Sequence, residues 1–448
     1  MTRYSFPASP RLLNAALLLA TVAAAPALAA AQGAPAKLTA DMERRIAAIQ
    51  PSVVAWRRDF HEHPELSNQE VRTSEVIARH LRKLGMEVQT GVAKTGVIGV
   101  LKGGKPGPVV ALRADMDALP VVEEVDLPFK STVKTTFNGQ SVGVMHACGH
   151  DNHMAILLGV AEVFAGMKAD LPGTVKFIFQ PAEEGAPVGE RGGASVMIEQ
   201  GVLENPKVDA LFGLHVFPFE TGKVVYRSGS LMASADTWRM VIRGKQTHGA
   251  LPWNGVDPIM IASQMITNMQ SIISRQTDLT LTPAILTVGY IRGGIRVNII
   301  PDSVELGGTI RTFDEGVRDS IHARFRRLAN ALATAAGGSM SLEIDKGYAV
   351  TSNDPRLTAQ MLPSLHRAVG AANVSEGRPT TTAEDFSFYQ QKVPGLFFFL
   401  GVSPPGTDPL KVYPNHSPRF FADEAALVPG MKALGTLALD FLSAGRVM

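Results

Sequence analysis

A single cysteine, Cys148, among 448 residues excludes an internal disulfide, so no cross-linked framework holds this chain together. Charge of one sign is equally scarce. Lys and Arg number 43 against 41 Asp and Glu, a formal charge of +2, and part of that excess sits in the N-terminal leader. Such a balance leaves no basic footprint for nucleic acid. Beyond the leader no stretch approaches about eighteen continuous apolar residues, so neither a membrane span nor an anchor is expected. Internal repeats and low-complexity segments are lacking too. Gly103-Gly104-Lys105 does not have P-loop spacing, and no Gly-x-Ser-x-Gly elbow supports a serine hydrolase.

What is present begins with residues 1–31, which have the pattern of an export signal: Arg3 and Arg11, an apolar run over 12–25, then Ala27-Leu28-Ala29 as a small-residue cleavage site. No Cys follows it as a lipid anchor, so a periplasmic or secreted protein is the expectation. In such an oxidising compartment a lone thiol is a buried small hydrophobe, an intermolecular bridge or a protected metal ligand.

With 45% hydrophobic and 19% charged residues, the chain can build cores for roughly two domains of about 100–200 residues each. From Asp41 to Leu84 the apolar spacing is helical, and Gly85 is a stop signal. The runs 97–101, 109–113, 175–180 and 210–216 are short, apolar and bounded by turn residues. Each reads as a buried strand of a largely parallel sheet, with a helix at 155–164 between them, which is α/β order. After Ser230 the pattern becomes strand 237–242, helix 258–274, strands 284–290 and 304–312, helix 315–335 and strand 341–344, a split βαββαβ unit. From about Tyr348 the α/β character returns, with 396–400 as a central strand.

The chemistry concentrates at the ends of these strands, where open α/β sheets place their ligand sites. Met145-His146-Ala147-Cys148-Gly149-His150-Asp151-Asn152-His153 puts the only thiol among three histidines, a mixture that suits a first-row transition metal. Gln180-Pro181-Ala182-Glu183-Glu184-Gly185, Gly213-Leu214-His215 and the isolated His416 add enough ligands for two ions. Adjacent glutamates on a loop can aim one carboxylate at a metal and the other at a water whose proton must be moved. His416 lies far from Cys148 in sequence, so a shared site requires a discontinuous domain.

The succession Asp-Met-Asp (115–117), His-Ala-Cys-Gly-His-Asp (146–151), Pro-Ala-Glu-Glu-Gly (181–185), Gly-Leu-His (213–215), Thr-His-Gly-Ala (247–250) and Asn-His-Ser (415–417) resembles the co-catalytic metallo-amidohydrolases. These belong to metallopeptidase family twenty and include hippurate hydrolases, aminoacylases and plant auxin-conjugate hydrolases. The resemblance spans essentially the whole chain after the leader. It implies a mixed-sheet α/β dinuclear metallopeptidase catalytic domain at 38–230 and 347–445, interrupted at 231–346 by a two-layer α+β lid and dimerisation domain. It further implies Cys148, His150, Glu184, His215 and His416 as metal ligands, Glu183 as general base, and His248 as a donor to the scissile carbonyl, often from a dimer partner. Asn298 and Arg311 resemble substrate contacts, Arg311 being suited to a carboxylate. Asp115 stands where other branches of the family have His and is not assigned as a ligand; Asp117 is expected to accept a hydrogen bond from a ligand imidazole. Asp151 and His153 are open between supporting the site and capping the following helix, His61 and His63 read as structural, and Glu384-Asp385-Phe386 matches a family signature without a derivable role.

The expectation is an exported amidohydrolase that cleaves N-acyl or N-aroyl amino acids with two divalent ions, Zn²⁺ or Mn²⁺, with Co²⁺ or Ni²⁺ also permitted by the ligand types. Its substrate would be a small molecule, and a homodimer would form through the inserted domain. Two rivals share the residues: a metallo-carboxypeptidase or dipeptidase with the same site, and a non-catalytic binding protein for amino-acid conjugates.

Overall fold

The computed structural model describes residues 33–444. The expected export signal, residues 1–31, lies outside them, as does residue 445. An eight-stranded sheet runs in the spatial order Glu87–Val92, Gly96–Lys102, Pro172–Gln180, Lys105–Asp115, Ala210–Glu220, Gly395–Ser403, Val224–Tyr226 and Val374–Glu376. Its four central strands, from Pro172–Gln180 to Gly395–Ser403, are parallel, so their C-terminal ends converge on one edge. Gly96–Lys102 departs from the parallel expectation. It runs antiparallel to Pro172–Gln180 and forms a hairpin with Glu87–Val92 through Ala93 and Lys94, both at positive φ. A strand buried on both faces reads as an unbroken apolar run in either direction, so composition alone does not reveal its sense.

Helices Ala36–Glu62, His150–Gly166, Pro355–Val369 and Leu427–Ala444 supply apolar residues to the core on one face of this sheet, and the short helices Gly193–Glu199 and Phe386–Gln390 close the other. Gly395–Ser403 pairs with Ala210–Glu220 on one side and Val224–Tyr226 on the other, so late chain is built into the middle of early chain.

Between these segments lies a second, antiparallel sheet in the order Ala284–Gly293, Ser303–Thr312, Asp236–Arg243, Ser339–Lys346, with helices Pro258–Gln276 and Glu315–Ala335 packed on it. Its buried core is drawn only from residues between Trp238 and Ala333, including Trp238 set edge-on to Phe325 at 5.2 Å. Both helices start at a capping aspartate: Asp257 accepts from the Ile259 and Met260 amides, with Pro258 behind it, and Asp314 accepts from Val317. The βαββαβ order is the expected one. Polar ties run beneath it, with Asp236 holding Arg318 and His322.

Candidate active site

Parallel strands deliver the polar motifs to one place. Asp115 ends Lys105–Asp115, Glu183 and Glu184 follow Pro172–Gln180, and His215 lies in Ala210–Glu220 beside Phe399 in register. The Cys148 turn enters from the side through helix His150–Gly166. This helix starts five residues before the periodicity indicated, because its first turn, His150 to His153, is polar and carries function rather than apolar spacing. Gly149 makes the turn possible. It sits at φ +89°, and a Cβ there would lie 2.3 Å from Val216 Cγ2.

Cys148 Sγ is 3.3 Å from His215 Nε2 and 3.2 Å from His416 Nε2. Glu184 Oε1 is 3.1 Å from His416 Nε2 and 4.0 Å from His150 Nε2. The thiol thus belongs to two triplets, Cys148–His150–His215 and Cys148–Glu184–His416, within each of which the donor atoms lie within 4.8 Å of one another. Two details fit the triplets to divalent ions. His150 and His215 spend Nδ1 on the carbonyls of Asp117 and Val216, each at 2.7 Å, which leaves both Nε2 lone pairs facing inward. His150 Nε2 is buried with no hydrogen-bond partner among the described residues, at a cost on the order of 1–3 kcal/mol that a bound cation would remove. His416 reaches its place from a backbone at φ +69°, held by its amide on the Ala147 carbonyl at 2.8 Å and by Asn415 Nδ2 on the carbonyls of Cys148 and Val216.

The field at the site is anionic. Burial disfavours charge on His150, but the carboxylates of Asp115, Asp117 and Glu184 outweigh it and lift its pKa to about 10. Burial, then Glu184 and Glu183, pushes the Cys148 thiol well up, so a thiolate there needs a compensating cation. Burial and the neighbouring His153 keep His215 neutral, the form that ligates. Burial followed by Glu384, Glu184 and Asp385 raises Glu183 well above the ordinary carboxylate range.

Beneath the site is a fully buried hub, Arg113. Its guanidinium binds Asp115 at 2.7 Å, Glu384 at 2.9 Å, Asp385 at 2.8 Å and Gln180 at 2.9 Å. Asp115 also takes His153 Nδ1 at 2.5 Å, and His153 Nε2 accepts the Val216 amide at 2.8 Å. With both nitrogens used, His153 braces the strand that carries His215; its ring lies 4.7 Å from that of His215 and 5.3 Å from that of His150, and with Asp115 and His150 it forms a further buried cluster whose donor atoms lie within 4.8 Å of one another. Asp117 accepts the hydrogen bond of the His150 imidazole through its carbonyl at 2.7 Å, with its carboxylate 3.4 Å from the same nitrogen; that carboxylate also accepts Ser67 Oγ at 2.7 Å and the Glu184 amide at 2.9 Å. Asp151 turns away to Arg57 and His61, His61 also contacts Glu123, and His63 bonds the Asp59 carbonyl. His146 is buried with no hydrogen-bond partner among the described residues, and burial lowers its pKa to about 3.

A cavity of about 290 Å³ opens over the triplets, lined by Cys148, Glu183, Glu184, His215, His416 and Arg311 among others. Arg311, from the second sheet, has no hydrogen bond or ion pair to its guanidinium among the described residues. His248 and Asn298 do not line this cavity. They are exposed and adjacent on the two-stranded ribbon Thr247–His248 and Ile299–Ile300, where the Gly249 amide bonds the Asn298 carbonyl at 2.8 Å. Three further contributors escaped sequence reasoning. A charge closing the apolar run 109–113 marks Arg113 as unusual, since such a residue is buried only with partners. Asn415, adjacent to His416, could have been suspected from position. Tyr348, whose hydroxyl donates to the Glu183 carbonyl, has no local signal.

Comparison with known proteins agrees with this geometry. Thermostable carboxypeptidase 1 of Saccharolobus solfataricus is 40% identical over 407 residues, covering 90% of this chain and 99% of that protein. N-acetyl-L-cysteine deacetylase of Bacillus subtilis is 38% identical over 384 residues, 86% of each chain. The crystal structure of the Bacillus subtilis YXEP protein, a dinuclear metal-binding peptidase of the M20 family, superimposes with a TM-score of 0.74 at 36% identity, covering 89% of this chain and 99% of that one. Residues 111–440 match the profile of peptidase family M20/M25/M40, and with these relatives the chain belongs to that family of metal-dependent amide hydrolases.

Proposed function

We propose that this protein is an exported amidohydrolase that releases a free amino acid from an N-acyl or N-aroyl amino acid. Divalent ions held by Cys148, His150, Glu184, His215 and His416 would lower the pKa of a coordinated water to about 7 and polarise the amide carbonyl. Glu183 takes the proton from the attacking water and returns it to the leaving nitrogen as the C–N bond breaks. Its raised pKa, set by burial and neighbouring carboxylates, suits a group that must hold that proton between the two steps. Arg311 pairs with the substrate carboxylate. His248 and Asn298, exposed on the inserted domain, reach a cavity of the partner subunit in a homodimer.

The observation that carries this reading is the cavity itself, which brings the base, candidate ligands of both triplets and a cation with no hydrogen bond or ion pair among the described residues together. An amidohydrolase is favoured over a dipeptidase because the charged groups lining the cavity beside Arg311 are the candidate ligands and the base, which leaves no further carboxylate to receive a free α-ammonium group. The carboxypeptidase reading is supported by the name of the Saccharolobus relative. Turnover of N-acetyl, N-benzoyl and indole-acyl amino acids against unblocked dipeptides, with metal analysis of the same samples, separates the two. Faster cleavage of dipeptides than of every N-acyl amino acid would overturn the proposal. Export is tested by fractionating the native host and sequencing the N-terminus, which should begin near Ala30 to Gln32.

A further inference from the structure

We infer that the aromatic surface formed by Phe217 and Phe399 is the acyl-group subsite of this cavity and that it takes a planar aromatic acyl group. The inference rests on the amidohydrolase reading and narrows its substrate class. Alternation along Ala210–Glu220 puts Phe217 and Phe219 on the face that carries His215. Phe399 is the register partner of His215 on the neighbouring strand, so the aromatic row begins beside a candidate metal ligand. The Phe217 and Phe399 rings lie 4.8 Å apart at 40°, and Phe219 extends the row 5.1 Å beyond Phe217. Phe399 is buried at 2% exposure, Phe217 is half-buried and Phe219 is 36% exposed, so the row runs from the sheet interior towards solvent.

Phe217 and Phe399 line the same cavity as Glu183 and Arg311. The cation comes from strand Ser303–Thr312 of the second sheet and the rings from two strands of the first, so they belong to different walls. With its carboxylate on Arg311 and its amide at the ligand triplets, a substrate has its acyl group and its α-side chain left to place, and the acyl group, on the far side of the scissile carbonyl from the carboxylate, is the one directed away from the Arg311 wall and towards the rings. A flat π-face can stack offset or edge-on with tilted phenyl rings, whereas an acetyl group cannot.

The test compares kcat/KM for the N-benzoyl and N-acetyl derivatives of one amino acid in the metal-loaded wild type, Phe217→Ala and Phe217→Leu. Wild type should favour benzoyl by at least about 10-fold; Phe217→Ala should lower the benzoyl-to-acetyl ratio by about 10-fold or more, and Phe217→Leu by less. The preference between two amino acids carrying the same acyl group should move by under about 3-fold. If Phe217→Ala does not fold, product inhibition of the wild type serves instead, with benzoate binding at least about 10-fold tighter than acetate. A wild-type ratio near one, equal inhibition by the two acids, or a Phe217→Ala variant that alters amino-acid preference instead of acyl preference would overturn the subsite while leaving the amidohydrolase reading intact. Hydrolysis of neither derivative would overturn both.

Discussion

Glu183 and Glu184 are neighbours with different fates, because one carboxylate points at Cys148 and His416 while the other is buried against Glu384 and Asp385. Replacing Glu183 by Gln keeps shape but removes the proton acceptor, so Glu183→Gln should retain its metal while kcat falls by at least about 10²-fold. Near-normal kcat in that variant would remove Glu183 as the base. Arg311 provides a second residue-scale prediction. Arg311→Ala should lower kcat/KM for a free-acid substrate by roughly 10–100-fold, the worth of a charge-assisted hydrogen bond of about 1.5–3 kcal/mol, and should barely affect the matching amide substrate. Equal losses on both substrates would mean that the arginine does not read the carboxylate. These residues were legible in the sequence because Glu-Glu and Cys-x-His are local spacings whose chemistry travels with them. Which atom of Asp117 serves His150 was not, because carbonyl and carboxylate of one residue have the same letter.

At the scale of elements, the inserted sheet depends on a buried aspartate. Burial pushes the Asp236 carboxyl up, but hydrogen bonds from His322 and Arg318 outweigh it and hold it below the ordinary 3.8. Its folded pKa is therefore the depressed one, so its contribution to stability is present above the unfolded value and is lost as pH falls through the folded value. Asp236→Asn should be less stable than wild type by about 3 kcal/mol near pH 7, and the gap should narrow as the pH falls below the ordinary carboxylate value of 3.8, as read by urea unfolding at a series of pH values. A gap independent of pH would place the loss in packing and not in charge. The βαββαβ order of this insert was readable because capping aspartates, Pro258 and alternating strands all act within a few residues. The direction of Gly96–Lys102 was not readable, since it depends on which strand lies beside it.

For the whole molecule, the inserted domain has to serve two roles if His248 acts across subunits. Mixing Glu183→Gln subunits with His248→Ala subunits gives a direct measurement. In a mixed dimer, the site of the His248→Ala subunit retains its own Glu183 and receives His248 from its partner, so activity should rise well above that of either variant alone. If His248 served its own subunit, no mixed dimer would recover activity. Metal removal is the second test at this scale. Ions that bind only the folded chain stabilise it by about 2.7 kcal/mol at about 100 times Kd, so chelation should lower the melting temperature and expose Cys148 to alkylation together. Rapid alkylation of the loaded protein without loss of metal would count against ligation by the thiol.

The sequence by itself determined the kinds of chemistry and their order along the chain, because spacing within a turn, strand or helix is a local property that survives without knowledge of the fold. It thereby pointed to the thiol, the imidazoles and the paired glutamates, and to an insert that makes the main domain discontinuous. Tertiary structure decided everything that rests on residues far apart in the chain. Arg113 meets Asp385 across 272 residues, Cys148 meets His416 across 268, and Phe217 meets Phe399 only because a late strand pairs with an early one. The same folding left His248 outside the cavity lined by its own chain's ligands. Contacts of this range depend on which strand lies beside which, and strand order is fixed by packing of the whole sheet and not by any local spacing of residues.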